Sequence, residues 1–418
     1  MIGSLYAGIS GLNANATAMT VIGDNIANVN TTAFKSNRSS FANVLSQSLQ
    51  GSGGNDIGRG VAFWGASPSW GQGTVENTAN PTDMAINGRG FFMVNDDSGQ
   101  TFFSRAGEFA FDRNGDLRNP DGLAVQGYEV TAVAPDGTLT LGAITDIGVP
   151  SESTSPPVAT DEFTMDINLD AGAAVGDTYS TSQVFYDSLG NAVPVTLTFT
   201  RQALIPGPPP ITPWDVAATI PASAGTGAAV SVAQVQFDDS GNMIAPLADA
   251  TVTLTLTNGA ASPQAINWDL YDAAAASLGD ITGYASTSVT TFQTQNGYPA
   301  GSLRGVSVDE SGIVTGAYSN GQMTPLYQVA LADFPSYYGL SKMGNNLYAE
   351  TLASGQALPG IATSGRLGSI SPSAVEMSNV DLSQEFVKMI TTQRAYQANS
   401  RVITTSDEIL NELINIKR

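Results

Sequence analysis

The chain has 418 residues, of which 42% are hydrophobic and 13% charged, so it holds enough apolar material for two or three folded domains and is not disordered throughout. Its net charge of −21 disfavours binding to nucleic acid or to an anionic membrane surface. The sequence contains neither Cys nor His, which excludes disulfides and thiolate chemistry and removes the usual zinc ligands and the commonest general base near neutral pH.

The negative charge is concentrated in the middle of the sequence. Residues 145–290 hold fifteen acids and one base, against 12 acids and 7 bases in residues 1–144 and 10 acids and 8 bases in residues 291–418. This distribution predicts an acidic, solvent-facing middle domain between terminal regions that are free to pack against other protein. No apolar run reaches about 20 residues and "MIGSLYAGIS" has no basic n-region, so we expect neither a membrane span nor a cleaved signal peptide.

Residues 4–28 are predicted to form the first helix, with Ser4 as its N-cap. Apolar or small residues recur with heptad spacing, which indicates a seam that packs against another helix: Leu5, Ile9, Leu12, Ala16, Met19, Gly23 and Ile26. About 25 residues of middling propensity are marginal as an isolated helix, so this segment needs a partner. The partner is either the rest of the same chain or another subunit.

The segment "DNIANVNTTAFKS" is an unusually polar exit from this helix. Asn25, Asn28 and Asn30 tolerate left-handed backbone and bond to local backbone groups, and the two threonines that follow favour extended geometry. Phe34 is expected to anchor the next segment against a neighbour. An ordinary helix C-cap followed by a turn remains the alternative interpretation.

Residues 29–72 have little pattern and are predicted to be a linker region together with 365–379. The stretch "GSGGNDIGRG" indicates a flexible loop, and no Lys follows its glycines as a phosphate-binding loop requires. Strand periodicity begins near residue 73 and continues to residue 364, with "VPVTLTFT" and "ATVTLTLT" as clear strands. Pro-rich breaks stand at "SESTSPP" and "LIPGPPPITPW".

Residues 380–416 are predicted to form a second, longer helix, which Asp381 and Gln384 begin as a capping box. One apolar stripe consists of Leu382, Phe386, Met389, Tyr396, Ile403, Leu410 and Ile414. A second stripe consists of Val387, Ile390, Ala395, Ala398, Val402, Ile409, Leu413 and Ile416. Two stripes form an apolar face that is wider than one partner helix covers.

Clusters of Asp and Gly, such as "DRNGD" and "DDSGN", are typical of hairpin turns and also occur in calcium-binding loops. An EF-hand loop that starts at Asp112 needs Glu at its twelfth position, where Leu123 stands. Hairpin turns are therefore the favoured interpretation. Carboxylate pairs of the kind that glycosidases use cannot be selected from sequence, and we predict no catalytic residue, no cofactor and no metal site.

Three long stretches resemble the bacterial flagellar rod, hook and hook-associated axial proteins. The first is "ISGLNANATAMTVIGDNIANVNTTAFKS", the second is "VDLSQEFVKMITTQRAYQANSRVITTSDEILNELINIKR", and the third lies in the strand region and includes "DMAINGRGFFMV". A central acidic insertion is similar to that of the hook members of this family. The alternatives are a distal-rod-like or hook-associated member and, in another class, a secreted polysaccharide-active enzyme.

The resemblance implies a mainly β chain with terminal α-helices and nested domains. An inner layer of paired helices (1–28 with 380–418) would be surrounded by a β-rich middle domain (73–145 with 291–364) and an inserted outer β-domain (146–290). It implies that the chain assembles into a helical homopolymer and has no enzymatic activity. It also implies contacts with the distal rod, the hook–filament junction, the hook cap and the export apparatus, and export to the extracellular flagellum. The subunit-interface residues that we predict are Leu5, Ile9, Leu12, Met19, Ile26, Asn28, Phe34, Leu382, Phe386, Met389, Tyr396, Ile403, Leu410 and Ile414.

Overall fold

The structure is a computed structural model that describes residues 2–44, 59–150, 152–271 and 278–416, with side chains from residue 3 to residue 412 of these ranges. Most of the glycine-rich loop predicted at 51–60 lies outside the described residues. The first part of the chain contains α1 (Ile2–Ala27), β1 (Asn37–Asn43), β2 (Val61–Pro68), β3 (Val75–Asn77), β4 (Met84–Asn87), β5 (Phe91–Asn95), β6 (Thr101–Ser104), β7 (Ala110–Phe111), β8 (Leu117–Arg118), β9 (Ala124–Val133) and β10 (Leu139–Asp146).

The middle of the chain is β-structure. It contains β11 (Thr154–Ser155), β12 (Glu162–Asn168), β13 (Thr178–Tyr186), β14 (Ala192–Arg201), β15 (Thr212–Thr219), β16 (Gly225–Val230), β17 (Gln234–Phe237), β18 (Met243–Ala245), β19 (Ala250–Leu256), β20 (Gln264–Trp268), β21 (Ile281–Thr282) and β22 (Val289–Gln295). The two strands predicted most clearly, "VPVTLTFT" and "ATVTLTLT", are β14 and β19, so both predictions are confirmed.

The last part contains β23 (Gly301–Val308), β24 (Ile313–Tyr318), β25 (Met323–Val329), β26 (Leu331–Asp333), a 3₁₀ turn (Tyr337–Gly339), β27 (Ser341–Gly344), β28 (Leu347–Ala349), β29 (Leu358–Gly360), β30 (Ser369–Pro372), β31 (Ala374–Glu376) and α2 (Leu382–Ile416). Asp381 caps α2, since its Oδ1 accepts bonds from the backbone N–H groups of Ser383 (2.8 Å) and Gln384 (3.2 Å). Because α1 already begins at Ile2, the prediction that Ser4 is its N-cap is wrong.

The chain divides into two compact units. Unit 1 comprises Met1–Ser151, Gly305–Ala317 and Met323–Arg418, and unit 2 comprises Glu152–Arg304 and Tyr318–Gln322. Most of the acidic segment predicted as an outer domain belongs to unit 2. Unit 2 is therefore inserted between the two halves of unit 1.

In unit 1 the beginning of the chain pairs with its end. Helix α1 packs on α2, β3 pairs with β31 and β4 pairs with β30, each strand pair being antiparallel. Strands β1 and β2 form a two-stranded sheet of their own, and the main sheet of unit 1 runs β24-β25-β9-β5-β6-β28-β27. The predicted fold class, mainly β with paired terminal helices and a nested chain order, is confirmed.

Unit 1 has two clusters of buried apolar side chains. The larger cluster is aliphatic at its centre and includes Ile86, Val94 and Val329. The smaller cluster is aromatic, and its rings meet edge-on, as in the Phe91–Phe334 pair with 5.8 Å between ring centroids. Trp70 packs on the same Phe91 ring at 5.5 Å.

Unit 2 contains two sheets around one apolar core. One sheet runs β16-β19-β20-β12-β21 with β22 on β12, and the other runs β13-β14-β15-β17-β18. Strict alternation along β14 sends Val195, Leu197 and Phe199 into the core and the intervening threonines outward. Trp268 stacks on Phe163 in this core with 5.5 Å between ring centroids.

The Asp-Gly clusters form hairpin turns, as predicted. Asp96, Asp112, Asp238 and Asp309 each accept backbone N–H bonds from the residues two and four positions later. The Gly three positions after each Asp has a positive φ of 76–90°. Backbone N–H donation holds the pKa of Asp112 and Asp238 below its usual value. These carboxylates therefore stabilise the turns on which the sheets depend.

Candidate functional site

Helices α1 and α2 meet along a face of small side chains. The buried positions of α1 are Gly8, Gly11, Ala14, Ala18 and Ile22, together with Asn25 at the end of the helix. A Cβ atom at Gly11 would lie 2.7 Å from Asn399 Nδ2, and one at Gly8 would lie 3.1 Å from Ile403 Cγ1. The absence of these side chains is what allows the two helices to approach each other.

The predicted seam of α1 does not lie on this buried face. Ile9 is exposed, and Leu5, Leu12, Met19 and Ile26 are half-buried. Apolar periodicity identified the bulky residues and missed the glycines and alanines, because these residues contribute little hydrophobic signal. The seam residues are therefore available to a neighbouring chain.

The predicted stripe of α2 divides between two environments. Met389, Ile403 and Leu410 are half-buried, whereas Leu382, Phe386 and Tyr396 are exposed. The side chain of Ile414 lies outside the described residues. In the second stripe, Val387 is 62% and Ile390 51% exposed, and Ala398, Val402 and Ile409 are exposed as well. Ala395 is half-buried, and the side chains of Leu413 and Ile416 lie outside the described residues. Pairing with α1 thus leaves a wide apolar face of α2 uncovered.

A hairpin packs on another side of α1, inside the segment predicted as a linker. Strands β1 and β2 are antiparallel, and the backbone N–H of Val61 donates to Ser10 Oγ of α1 at 3.2 Å. Phe41 and Phe63 meet edge-on across the two strands at 5.9 Å, and Trp64 is 81% exposed. This hairpin is not evident from the sequence, because Ser, Asn and Gly weaken the alternating pattern of its strands.

The polar exit from α1 is held by hydrogen bonds to its own chain. Buried Asn25 accepts a bond from the backbone N–H of Asn37 at 2.7 Å and donates to the Asn37 carbonyl at 2.9 Å. Its Nδ2 also lies 3.3 Å from Glu385 Oε2 of α2. Asn25 therefore links the end of α1, the start of β1 and the first turn of α2.

Asn28 and Phe34 also make contacts within the chain. Asn28 Nδ2 donates to the Asp24 carbonyl at 2.9 Å, and Asn28 Oδ1 accepts from Thr31 Oγ1 at 3.1 Å. Phe34 is half-buried and its carbonyl accepts the Asn379 N–H at 3.3 Å. In the described part of this segment the left-handed residue is Ala33, with φ of 57°, so none of the three asparagines adopts the conformation for which they were singled out.

A buried ionic cluster lies just beyond this exit. Lys35 Nζ is 2.5 Å from Glu376 Oε1, and Arg105 Nη1 is 3.4 Å from Glu376 Oε2. The Gly73 N–H donates to Glu376 Oε1 at 2.9 Å, and Lys35 Nζ donates to the Gly71 carbonyl at 2.9 Å. Burial lowers the pKa of Lys35 against the opposing effect of Glu376. The cluster ties three parts of unit 1 that are distant in sequence.

This cluster is not evident from the sequence; of its members only Lys35 lies in the polar exit segment, where no role was predicted for it. Lys35 and Glu376 are 341 residues apart, so local patterns carry no sign of their pairing. The arrangement holds the segment that follows α1 against strand β31, which precedes α2. Among the described residues, no group of three or more Asp or Glu side chains is placed to hold a metal ion.

Four protein-family models match successive parts of the chain. "Flagella basal body rod protein" matches residues 5–35, "Flagellar hook protein FlgE/F/G D1 domain" 85–162, "Flagellar basal body protein FlaE D2 domain" 168–298, and "Flagellar basal body rod FlgEFG protein C-terminal" 371–416. The first and last matches contain α1 with its polar exit and α2. The candidate site therefore lies in segments that the family models describe.

Curated relatives match over almost the whole chain. The flagellar hook protein FlgE of Escherichia coli is 35% identical over 422 residues, which cover 98% of each chain. This chain belongs to the flagellar hook protein family. The hook proteins of Salmonella typhimurium (35% identity, 98% of each chain) and Treponema pallidum (33% identity, 100% of each chain) are similar in the same way.

A solved structure, that of Helicobacter pylori flagellar hook protein FlgE2, matches with 15% identity and a TM-score of 0.49, covering 71% of this chain and 98% of that chain. Membership of the hook protein family makes this chain a structural part of the flagellum and implies self-polymerisation together with other axial components. In the described ranges no helix combines the length and the hydropathy that crossing a bilayer requires.

Proposed function

We propose that this chain polymerises through the exposed apolar faces of α1 and α2 and so builds the inner layer of the hook, a curved helical tube that passes motor torque to the filament. One observation carries the proposal. The two helices use a narrow face of small residues to pair with each other and leave bulky apolar residues exposed. A head-to-tail contact that does not close produces a helical tube.

The exposed residues provide the driving force for assembly. Val387 and Ile390 are exposed and lie nearly opposite Ile403 around the helix, and Phe386 and Ile409 are exposed as well. Val402 is 42% exposed but borders the α1–α2 contact, since its Cγ1 lies 3.6 Å from the position of a Cβ on Gly8. Fully burying a side chain of this size contributes about 1.5–3 kcal/mol, and these side chains, which are 42–62% exposed, have roughly half of that left to gain. Several such burials per subunit offset the entropy lost on association and favour the polymer over the free chain.

The predicted interface residues whose side chains are described divide into three groups under this proposal. The exposed residues of the set touch a neighbouring subunit directly: Ile9, Leu382, Phe386 and Tyr396. The half-buried residues have part of their surface left for a neighbour: Leu5, Leu12, Met19, Ile26, Met389, Ile403 and Leu410. Asn28 and Phe34 act by shaping the exit from α1, given their contacts within the chain.

Unit 2 has a different role in the proposal. Its acidic surface discourages lasting contacts between like-charged copies, so neighbouring units are free to slide as the tube bends. Deleting residues 146–290 should leave tubes that form but differ in curvature, as seen by electron microscopy. A complete loss of polymer would contradict this division of roles.

The hook in turn meets other parts of the flagellum. We propose contacts with the distal rod, the hook–filament junction proteins and the hook cap, and export by the flagellar apparatus without cleavage of a signal peptide. A distal-rod-like subunit is not favoured, because the full-length relatives are hook proteins. We propose no enzymatic activity, in keeping with relatives that are structural proteins.

The test replaces two exposed apolar residues of α2 by polar, uncharged ones. V387N/I390N should abolish or strongly reduce polymer, measured by sedimentation and electron microscopy of the full chain. V175N is the matched control, because Val175 is an exposed valine in a turn of unit 2. Normal tubes from V387N/I390N would contradict the proposal.

A further inference from the structure

The pair of helices α1 and α2 has two flanks, one on each side of the line along which the helices touch. The helices run antiparallel, since Asn25 near the end of α1 bonds to Glu385 near the start of α2, whereas Gly11 faces Asn399. Both helices are right-handed and have 3.6 residues per turn, so this pairing decides which residues share a flank. The two flanks carry different sets of apolar side chains.

The first flank, which we call the seam flank, combines the predicted seam of α1 with the first stripe of α2. Leu5, Leu12 and Met19 recur every seven residues and lie within about 40° of one another, roughly 80° around α1 from the residues that face α2. The apolar side chains of this flank are half-buried or exposed: Leu5, Leu12, Met19, Ile26, Leu382, Phe386, Met389 and Tyr396.

The opposite flank, which we call the hairpin flank, combines the hairpin of β1 and β2 with part of the second stripe of α2. The hairpin bonds to α1 at Ser10, which lies roughly 160° around the helix from Leu12. Ala398 and Ile409 are about 20° apart around α2 and nearly opposite to Met389. The exposed side chains of this flank are Phe41, Phe63, Trp64, Ala398, Val402 and Ile409.

A cavity of about 360 Å³ lies where the hairpin, α1 and α2 meet. Small residues of α1 line it, among them Ala7 and Ala14, together with Phe41 of the hairpin and Asn399 of α2. The hairpin flank therefore offers a hollow lined by small side chains next to exposed aromatic rings. Such a surface is suited to receive bulky apolar side chains from another protein.

We infer that the seam flank of one copy of this chain packs against the hairpin flank of the next copy. The occupant is a second copy because membership of the hook protein family implies self-polymerisation, and because both apolar flanks belong to one helix pair and face opposite sides. Two different surfaces that meet in this way form a head-to-tail contact. Neighbouring copies can repeat this contact around a tube axis, since neither copy has to be turned over.

This inference rests on the proposed function and assigns partners to its apolar faces. The seam of α1, which α2 leaves half-buried, is covered by the aromatic hairpin of the neighbour. The two stripes of α2 face two different neighbours, one on each flank, which accounts for an apolar face wider than one partner helix covers. Trp64 is the expected anchor, because buried Trp side chains contribute strongly at protein interfaces.

Cross-linking between copies with one thiol each tests the contact in the full chain, which has no Cys of its own. A16C places a thiol on the seam flank, and A66C, A398C and I409C each place one on the hairpin flank, all at exposed positions. A short bismaleimide can then join only two different copies. In the polymer, A16C mixed with at least one of the three hairpin-flank variants should give cross-linked dimers, and A16C alone should give none.

The three hairpin-flank positions also measure how far neighbouring copies are shifted along the helices. A398C and I409C are roughly 17 Å apart along α2, and A66C lies on the hairpin. The variant that cross-links best to A16C therefore reports the axial offset. A16C mixed with V175C, whose thiol lies in unit 2, is the matched control and should give no dimers.

Replacing the expected anchor gives a second, independent measurement. W64A should raise the critical concentration for polymerisation about tenfold or more, because the neighbour loses its largest apolar contact. Since Trp64 is 81% exposed, the fold of W64A should be unchanged, which circular dichroism checks. L247A is the matched control, because Leu247 is 82% exposed and lies in unit 2.

Three results would overturn the inference. Dimers from A16C alone would show that two seam flanks face each other. A polymer that gives no dimers in any of the three mixtures would show that the two flanks do not meet, and W64A that polymerises like the wild type would exclude the hairpin from the contact. In each case loss of polymer from V387N/I390N would leave the proposed function standing, whereas a wild-type chain that stays monomeric would contradict both.

Discussion

At the scale of single residues, the most consequential group is the carboxylate of Glu376. It is fully buried and serves Lys35, Arg105 and the Gly73 N–H at once. Removing one partner from a buried ionic cluster leaves charge without compensation inside the protein. The cations that it pairs with are 70 residues apart in sequence, at positions 35 and 105, so this one side chain fixes how the chain passes from α1 into the sheet.

Replacing this carboxylate should therefore destabilise unit 1. E376Q leaves Lys35 and Arg105 buried without a counter-charge, and we expect a loss of about 3–5 kcal/mol of unfolding free energy. Urea denaturation followed by tryptophan fluorescence measures it, since Trp70 lies in the aromatic cluster of unit 1. E310Q alters an exposed glutamate and is the control. Equal midpoints for the two variants would show that the cluster contributes little.

Two tyrosines of the same region predict a response to alkaline pH. Burial, reinforced by a hydrogen bond to Asp333, raises the pKa of Tyr337 to about 12, and burial raises that of Tyr348 to about 12. For each phenol the folded pKa lies above the unfolded value of about 10. Their stabilising contribution is therefore complete below pH 10 and is lost as the pH rises toward 12.

The measurement is the urea midpoint of wild type and of Y337F/Y348F between pH 8 and pH 12. The wild type should lose stability more steeply than the variant above pH 10, because only the wild type has these phenols to ionise on unfolding. The lowered pKa of Lys35 acts in the opposite direction in both proteins and cancels in the comparison. Y338F, which removes an exposed phenol, is the control, and identical slopes for wild type and double variant would contradict the assignment.

At the scale of elements, the contact between α1 and α2 depends on glycine at one position and not at another. Gly11 faces Asn399 so closely that a methyl group would displace its amide, whereas Gly23 has nothing within 4 Å of the place where a Cβ would stand. Both glycines lie inside the same helix. The pair thus separates the effect of packing from the effect of helix propensity.

G11A should weaken the helix pair, and G23A should strengthen it. We expect G11A to cost about 1–3 kcal/mol through overpacking and G23A to gain about 0.5–1 kcal/mol through helix propensity. Thermal unfolding followed by the helical circular dichroism signal measures both. If G11A stabilised the helices as much as G23A, the close approach of α1 and α2 would not exist.

The elements with a clear periodic pattern or capping signal could be predicted from the sequence alone. The alternation of β14 and β19, the length of α2 and the Asp381 cap were all visible in local pattern. The small-residue face of α1 and the hairpin of β1 and β2 were not visible, because Gly, Ala, Ser and Asn carry weak periodic signal. The ionic cluster was hidden for another reason, since its members are brought together only by the pairing of distant segments.

At the scale of the whole molecule, chain order explains why one polypeptide serves both assembly and solubility. Unit 1 contains the first and the last segment of the chain, and unit 2 is inserted in sequence between them. Of the net charge of −21, residues 145–290 contribute fifteen acids and one base, so most of the repulsion lies away from the terminal helices. Helix α1 carries a single charge, Asp24, and the three basic and four acidic residues of α2 nearly cancel, so the two helices add little net charge.

The central claim is that the outer apolar face of α2 becomes buried when copies of the chain assemble, and thiol labelling tests it most directly. Because the chain has no Cys, V387C and V175C each carry a single thiol, one on α2 and one in unit 2. Labelling of V387C with a small maleimide should be at least about tenfold slower in the polymer than in the monomer, while V175C reacts equally fast in both. Equal labelling of V387C in monomer and polymer would contradict the account.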